Sequence, residues 1–377
     1  MNVVSVIIPV YNGEVFLEQA INSILSQTYP YIEIIIVDDG STDATPKIAQ
    51  SFRGINYFRQ ENKGPSAARN IGVKLSSGKY IAMMDADDLS LPTRIEEKVE
   101  IMERNSEIDF VYCDVDVIDG NNEYLYCLRS EEVFNHASDA LAYMLYRQFI
   151  PNPVTIISRR ECFEQVPYPE DLIHGEDYYL TMEWAKCFTS YYYPKVLYQY
   201  RRHGTNLTNA HLNQVKAEID IVKNIGIDQI EKIVASSRFT TVEKDKLLAK
   251  IMLKIKDYER AEDILSRIVN KGSEVFFLLG VCQYQRHSNE LALKSFESAL
   301  EIESELAEGW NNMGCSFGQL NMLEQAKDCF KKAISIRPEY MDAKWNVKLI
   351  NSLDTNDLKL TTKPLRKVLT TYETSNK

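Results

Sequence analysis

The chain has 377 residues, more than one hydrophobic core usually serves, so two domains are the first expectation. With 45% apolar and 26% charged residues it is a globular sequence, and a net charge of −11 denies it the overall basic face of a nucleic-acid binder. Seven scattered cysteines, odd in number and never in CxxC spacing, indicate neither a disulfide framework nor a zinc site and fit a reducing compartment.

The opening MNVVSVIIPVYNGE carries no basic stretch before its apolar run, and no later segment approaches the length of a membrane span. A soluble cytoplasmic protein is expected, free to associate peripherally with the inner face of a membrane.

Two periodicities alternate over the first hundred residues. VVSVIIPV (3–10) predicts a strand, and Leu17, Ala20, Ile21, Ile24 and Leu25 then recur at helical spacing. YIEIIIVDDG predicts a second strand, broken at Gly40, and STDATPKIAQSF a capped helix. INYFRQE predicts a third strand, GPSAARNIGVKL a helix opened by Pro65, and KYIAMM a fourth strand. Such alternation predicts an α/β fold with a mostly parallel sheet covered by helices on both faces.

In sheets of this kind functional residues gather beyond the carboxyl ends of the strands. Three strands end in polar clusters there: Pro9 to Glu14, Asp38 with Asp39, and Asp85 to Asp88. No GxGxxG or GxxxxGK[ST] loop follows the first strand, which disfavours dinucleotide-binding and P-loop chemistry. Further on, IDFVYCDVDVID reads as a strand, SDALAYMLYRQF as a helix, and Leu180, Trp184, Cys187 and Phe188 as the stripe of a helix starting near Glu176. SYYYPKVLYQYRRHG reads as a strand and a basic loop, and from about residue 209 strand signals disappear.

The last third contains a repeat. Phe276 with Trp310, Gly280 with Gly314, Ala292 with Ala326, Phe296 with Phe330, Ala299 with Ala333 and Ile302 with Ile336 all match at a spacing of 34. With Phe317 and Pro338, these residue types resemble the tetratricopeptide repeat, two packed helices per unit. A degenerate earlier unit is expected around Tyr258, Ala261, Leu265 and Ile268, and a capping helix around Trp345.

By itself DAD before Pro92 is an ordinary turn signal, yet at a strand end it also suits Mg²⁺ or Mn²⁺, which take one or two protein carboxylates and fill their remaining positions with phosphates and water. SVIIPVYNGEVFLEQAINSILSQTYPYIEIIIVDDGSTD, followed by NKGPSAARNIGVKLSSGKYIAMMDADD, resembles the N-terminal half of a glycosyltransferase family 2 enzyme of the GT-A fold. The match is strong over about 3–100 and patchy to about 207. It implies transfer of a sugar from a nucleoside-diphosphate sugar, UDP most commonly, with inversion at the anomeric carbon, to a glycan, lipid-carrier or protein acceptor.

The resemblance implies Pro9, Tyr11 and Glu14 around the nucleoside, Asp39 accepting from the base, Arg69 on base or phosphate, Asp85 with Ala86 at the ribose, and Asp87 on the metal with Asp88 shaping the turn. HGEDYYL resembles the pair that supplies the base for the acceptor hydroxyl, Asp177 first and Glu176 second. Acids in a helix's first turn also simply favour its dipole. YRRHGTNLT resembles the family's loop over the diphosphate, with His203 on the metal and Arg201 on the leaving charge. No QxxRW lid follows, against a processive polysaccharide synthase.

The expected organisation is a GT-A catalytic domain over 1–207, a helical linker over 208–240, an all-α tetratricopeptide region over 241–353 with its clearest units about 273–306 and 307–340, and a polar tail over 354–377. The repeats are expected to recruit the acceptor or a protein partner. The competing expectation is an interaction protein whose transferase domain is an inactive nucleotide-binding platform. A nucleotidyltransferase is a third reading, which would want a basic Gly-rich loop where PVYNGE stands.

Overall fold

The computed structural model describes residues 2–130, 132–134, 136–206 and 211–362; part of the expected linker (208–210) and of the expected tail (363–377) lies outside the described residues. The chain divides into two compact units, Met1–Arg238 and Phe239–Lys377.

In the first unit β1 (Val4–Val10), α1 (Leu17–Leu25), β2 (Ile32–Asp38), α2 (Thr45–Ser51), β3 (Asn56–Arg59), α3 (Pro65–Leu75) and β4 (Tyr80–Met83) follow the alternation read from sequence. β1 lies between β2 and β4, and β3 beside β2, all parallel. The register sets Val10 beside Asp38 and Ile7 beside Met83, so the polar ends of three strands open on one edge. Gly72 lets α3 close on this sheet, since a Cβ there would come within 2.3 Å of Ile7 Cγ2.

Past β4 the sheet becomes mixed. β5 (Leu89–Ser90), α4 (Arg94–Arg104), β6 (Phe110–Asp119), β7 (Tyr124–Leu128), α5 (Ala137–Tyr146), β8 (Ile157–Arg159), α6 (Arg160–Gln165), α7 (Glu176–Cys187) and β9 (Ser190–Arg202) follow, with α8 (His211–Ile225) and α9 (Ile227–Ser236) closing the unit. The strand order is β3-β2-β1-β4-β8-β6-β9-β5, with β7 beside β6. β8 is antiparallel to both β4 and β6, and β6 is parallel to β9. The sheet is thus parallel through its first four strands and mixed beyond them. Periodicity had no hold on β5 and β8, because two or three residues complete no pattern.

The second unit is all helix: α10 (Thr241–Lys254), α11 (Tyr258–Arg267), α12 (Ser273–Gln285), α13 (Asn289–Ile302), α14 (Ala307–Gln319), α15 (Leu323–Ile336) and α16 (Met341–Asn351). α12 and α14 start and stop 34 residues apart, as do α13 and α15. The matched pairs explain the period: a Cβ on Gly280 would lie 2.5 Å from the Phe296 ring, and one on Gly314 2.6 Å from the Phe330 ring. Each Gly is the floor on which the partner helix's Phe rests. His287 and Asn321, again 34 apart, carry the left-handed turn between the two helices, at φ of 61° and 59°. No helix among the described residues is long and apolar enough to cross a membrane.

Candidate active site

The acid turn begins where buried β4 ends. Met84 N–H still bonds the Ile7 carbonyl, and Asp88 N–H closes the turn onto the Asp85 carbonyl at 3.3 Å. Beneath it Arg94, fully buried, donates to the Met83 and Val154 carbonyls at 2.9 Å and lies 4.7 Å over the Tyr198 ring. β5 then pairs with β9, Ser90 opposite Tyr198, and this staples the turn to the end of β9.

The three acids thereby take different roles. Asp88 is fully buried and both its oxygens are used, one accepting from Tyr198 Oη at 2.8 Å and the other from Arg201 N–H at 2.8 Å. Burial, with Asp87 and Asp85 beside it, pushes its carboxyl well above the usual carboxylate range. Asp85 and Asp87 remain half-buried, and the Asp87 carboxyl, raised by burial and by Asp85, meets His203 Nε2 at 2.9 Å and Asn206 Nδ2 at 3.4 Å. One oxygen from each of the three acids falls within 4.8 Å of the others. With Asp88 already satisfied, Asp85, Asp87 and His203 form the accessible donor set.

Arg69 links this turn to the second acid pair. It is buried on α3, donates to Asp85 Oδ1 at 3.1 Å, reaches Glu176 Oε1 at 3.5 Å and lies 5.0 Å over the Tyr168 ring. A bidentate pairing of Asn70 with the Tyr168 main chain, Asn70 Nδ2 to O at 2.9 Å and Tyr168 N–H to Asn70 Oδ1 at 3.0 Å, fixes that tyrosine beside α3.

Asp177 stands at the start of α7, behind Gly175 in a left-handed conformation. Its Oδ1 is sealed from solvent and accepts no hydrogen bond. Burial first, then Glu176, raise its carboxyl to about 7, while Arg69 opposes the shift. A group balanced near neutrality in a site lined by other acids is suited to taking and giving up a proton.

At the other end, loop 11–14 is laced to loop 41–45. Asn12 N–H donates to Ser41 Oγ, Thr42 N–H to Asn12 Oδ1, Gly13 N–H to Thr45 Oγ1, and Glu14 Oε2 accepts from Ala44 N–H. Gly13 lets the loop fold back over the end of β1, since a Cβ there would come within 2.5 Å of Val10 Cγ2, and Ala86 lies in ordinary contact beside it. Pro9 pairs with Val37 one step before the register ends at Val10 and Asp38, and Tyr11 is exposed at the rim. Asp39, 3% exposed, accepts from Gln60 Nε2, Lys63 N–H and Gly64 N–H, each at 2.8 Å, and so shapes the lead into α3.

The structure turns Arg201 inward. Its guanidinium donates to the Asp87 carbonyl at 2.6 Å, to the Asp119 carbonyl, to Asn122 and to Gln19, and lies 4.6 Å over the Phe16 ring. Its donors hold the acid turn and are not presented to the cleft. Sequence reasoning overlooked Tyr168, Asn70, Tyr198 and Asn206. Neither tyrosine had a clear signal: β9 buries Leu197 and Tyr198 in succession instead of alternating, and Tyr168 sits in VPYPE, which has no period.

The geometry agrees with what comparison finds. Residues 5–162 match the family described as glycosyl transferase family 2, and residues 307–340 match the tetratricopeptide repeat. An uncharacterized glycosyltransferase of Rickettsia prowazekii (strain Madrid E) is 34% identical over 221 residues, covering 58% of this chain and 70% of that one. An uncharacterized glycosyltransferase of Haemophilus influenzae is 32% identical over 195 residues, covering 49% and 73%. Among solved structures, S. aureus TarS 1-349 in complex with UDP-GlcNAc superposes with a TM-score of 0.50 at 16% identity, covering 93% of this chain and 92% of that one, a likeness of fold.

Proposed function

The chain belongs to glycosyltransferase family 2, and we propose that it moves a sugar from a UDP-sugar to an acceptor hydroxyl with inversion at the anomeric carbon, Asp177 serving as the base. The observation that carries this reading is the unpartnered, buried Oδ1 of Asp177 on a carboxyl raised to about 7. An inactive nucleotide platform has no use for such a costly group.

In the step, the acceptor oxygen bonds to the anomeric carbon as the bond from that carbon to the diphosphate oxygen breaks, and the electron pair leaves with UDP. The acceptor's proton passes to Asp177. Attack from the face opposite the leaving group inverts the centre, and one carboxylate base suffices for it. Arg69 holds Asp85 and Glu176 in place and keeps the Asp177 carboxyl from rising further. Glu176, beside the base, is placed to receive an acceptor hydroxyl.

The acid turn also fits a divalent cation. Asp85 and Asp87 offer hard oxygen donors with His203 at hand, a small protein share that leaves room for phosphate oxygens. Asp87 and His203 would hold Mg²⁺ or Mn²⁺, which supplies positive charge against the charge gathering on the leaving diphosphate. The UDP-GlcNAc bound in the TarS structure supports uracil as the base over other nucleosides. Glycan, lipid-linked and protein hydroxyls are the acceptor classes this chemistry serves.

Thermal unfolding with UDP, GDP and dTDP, each with and without Mn²⁺, tests the donor half. UDP with Mn²⁺ is expected to raise the midpoint most, because a ligand of the folded state alone stabilises by mass action. No change in midpoint with any nucleotide would overturn the reading.

A further inference from the structure

We propose that Tyr168 is the positioning residue of the Asp177 base: its hydroxyl holds one carboxylate oxygen, which leaves Oδ1 as the atom that takes the acceptor's proton. The proposal rests on the reading of Asp177 as the base.

The segment VPYPE is built to hold a side chain still. Proline on either side of Tyr168 fixes the backbone at 167 and 169 and keeps Val166 and Tyr168 out of the helical region. The Asn70 carboxamide takes both main-chain groups of Tyr168, whose N–H donates at 3.0 Å and whose carbonyl accepts at 2.9 Å. The Val166 carbonyl accepts from Trp184 Nε1 at 3.1 Å. The segment is therefore pinned to α3 and also to α7, whose first turn carries Asp177. The buried Tyr168 ring stacks on Phe163 with 5.8 Å between centroids, and the Arg69 guanidinium lies 5.0 Å over it.

Where the hydroxyl goes separates this residue from a core tyrosine. Tyr178, also buried, spends its hydroxyl on the Met144 carbonyl at 2.6 Å. That of Tyr168 faces the Asp177 carboxyl, as a donor that favours the charged form. Burial, and then the charge of Asp177, push the Tyr168 hydroxyl well above the usual phenol range, so it keeps its proton and offers a carboxylate a donor.

The other charged groups facing Asp177 are Glu176 on its own helix, Asp85 in the acid turn, and Arg69 on α3, which lowers the carboxyl further than Tyr168 does. α8, packed at Gly175, brings the neutral Gln214 there, and its Glu218 bears on Tyr178. Arg69 is spent on Asp85 at 3.1 Å and Glu176 at 3.5 Å, which gives Tyr168 the task of orienting Asp177. With one oxygen turned to the phenol the carboxylate does not spin, and the unpartnered Oδ1 is kept for the proton. The phenol retains its own proton; the one that moves is the acceptor's.

The test titrates Asp177 directly. In a chain labelled with ¹³C at the aspartate carboxyls, its signal is the one missing from Asp177→Asn. The midpoint is expected at about 7 in the unaltered chain and about one pH unit higher in Tyr168→Phe, which loses a hydrogen bond to the charged form. With 3-fluorotyrosine at position 168, a stronger donor of nearly the same shape, it should fall below the unaltered value. A tyrosine that only fills the core would not move the midpoint in opposite directions. Release of UDP with Mn²⁺ present and water as acceptor, from UDP-glucose, UDP-galactose and their N-acetyl counterparts, supplies the kinetics. For Tyr168→Phe, kcat at pH 6 should fall about tenfold with donor KM unchanged.

An unaltered chain whose Asp177 titrates near 4, as in water, or that releases no UDP from any of the four, would overturn the reading on which the proposal rests. A midpoint near 7 that stays put in Tyr168→Phe, or in the fluorinated chain, would overturn the role of Tyr168 alone. So would a raised donor KM at unchanged kcat, which would make Tyr168 a binding group. Should Tyr168→Phe fail to fold, the fluorinated chain decides.

Discussion

Asp177→Asn should slow sugar transfer and at the same time make the first unit harder to unfold. Burial holds this carboxyl at about 7, where an aspartate in water titrates near 4. A tenfold change in proton affinity corresponds to about 1.4 kcal/mol, so a rise of roughly a thousandfold sets an upper limit of about 4 kcal/mol, and water entering the site reduces it to on the order of 2 kcal/mol. The sign follows from proton binding. The folded chain holds this proton more tightly than the unfolded chain, so stability is lost as pH climbs from about 4 to about 7 and levels off above. The Asn variant has no such loss, and its advantage should grow from nothing at pH 4 to its full value at pH 8.

Urea unfolding in a Trp310→Phe, Trp345→Phe background isolates Trp184, which lies on α7 in the same unit as Asp177. The turnover rate of the Asn variant should fall about a hundredfold or more with donor KM little changed, and the rise in rate through pH 7 should vanish. A wild-type rate flat from pH 5.5 to 8.5, or an Asn variant no more stable at pH 8 than at pH 5 relative to wild type, would refute the argument.

Arg69→Met should move the pH–rate midpoint upward, because Arg69 lowers the Asp177 carboxyl more than Tyr168, the other group that lowers it, does; an unmoved midpoint would separate the two residues. Asp87→Asn should remove most activity while leaving the thermal midpoint within a few degrees, and full turnover by that variant in chelator-treated buffer would take metal out of the reaction. Gly314→Ala should destabilise the helical unit by roughly 1–3 kcal/mol, since its methyl would meet the Phe330 ring at 2.6 Å, and a urea titration followed by Trp310 and Trp345 reads this directly.

The sequence alone determined whatever rests on local order. Strand and helix periods gave β1 to β4 with α1 and α3, and the placing of their polar ends on one edge, because a parallel strand separated from the next by a helix can run only one way in the sheet. The spacing of 34 gave the paired helices, since a small residue and an aromatic must recur together for each unit to pack like the last. Asp177 and Asp87 could be singled out by their neighbours in the chain. Which of the adjacent acids is structural could not, for Asp88 is satisfied by Tyr198 and Arg201, more than a hundred residues away. The inward turn of Arg201, the bridge from Asp85 through Arg69 to Glu176, and the depth that raises Asp177 likewise arise from contacts across long stretches of chain. Residues 354–362 looked only polar, and it took Asn311 and Asn312 of α14 and Asn346 of α16 to give their main chain partners. Charge, burial and hydrogen bonding depend on what surrounds a group, and only the folded chain supplies the surroundings.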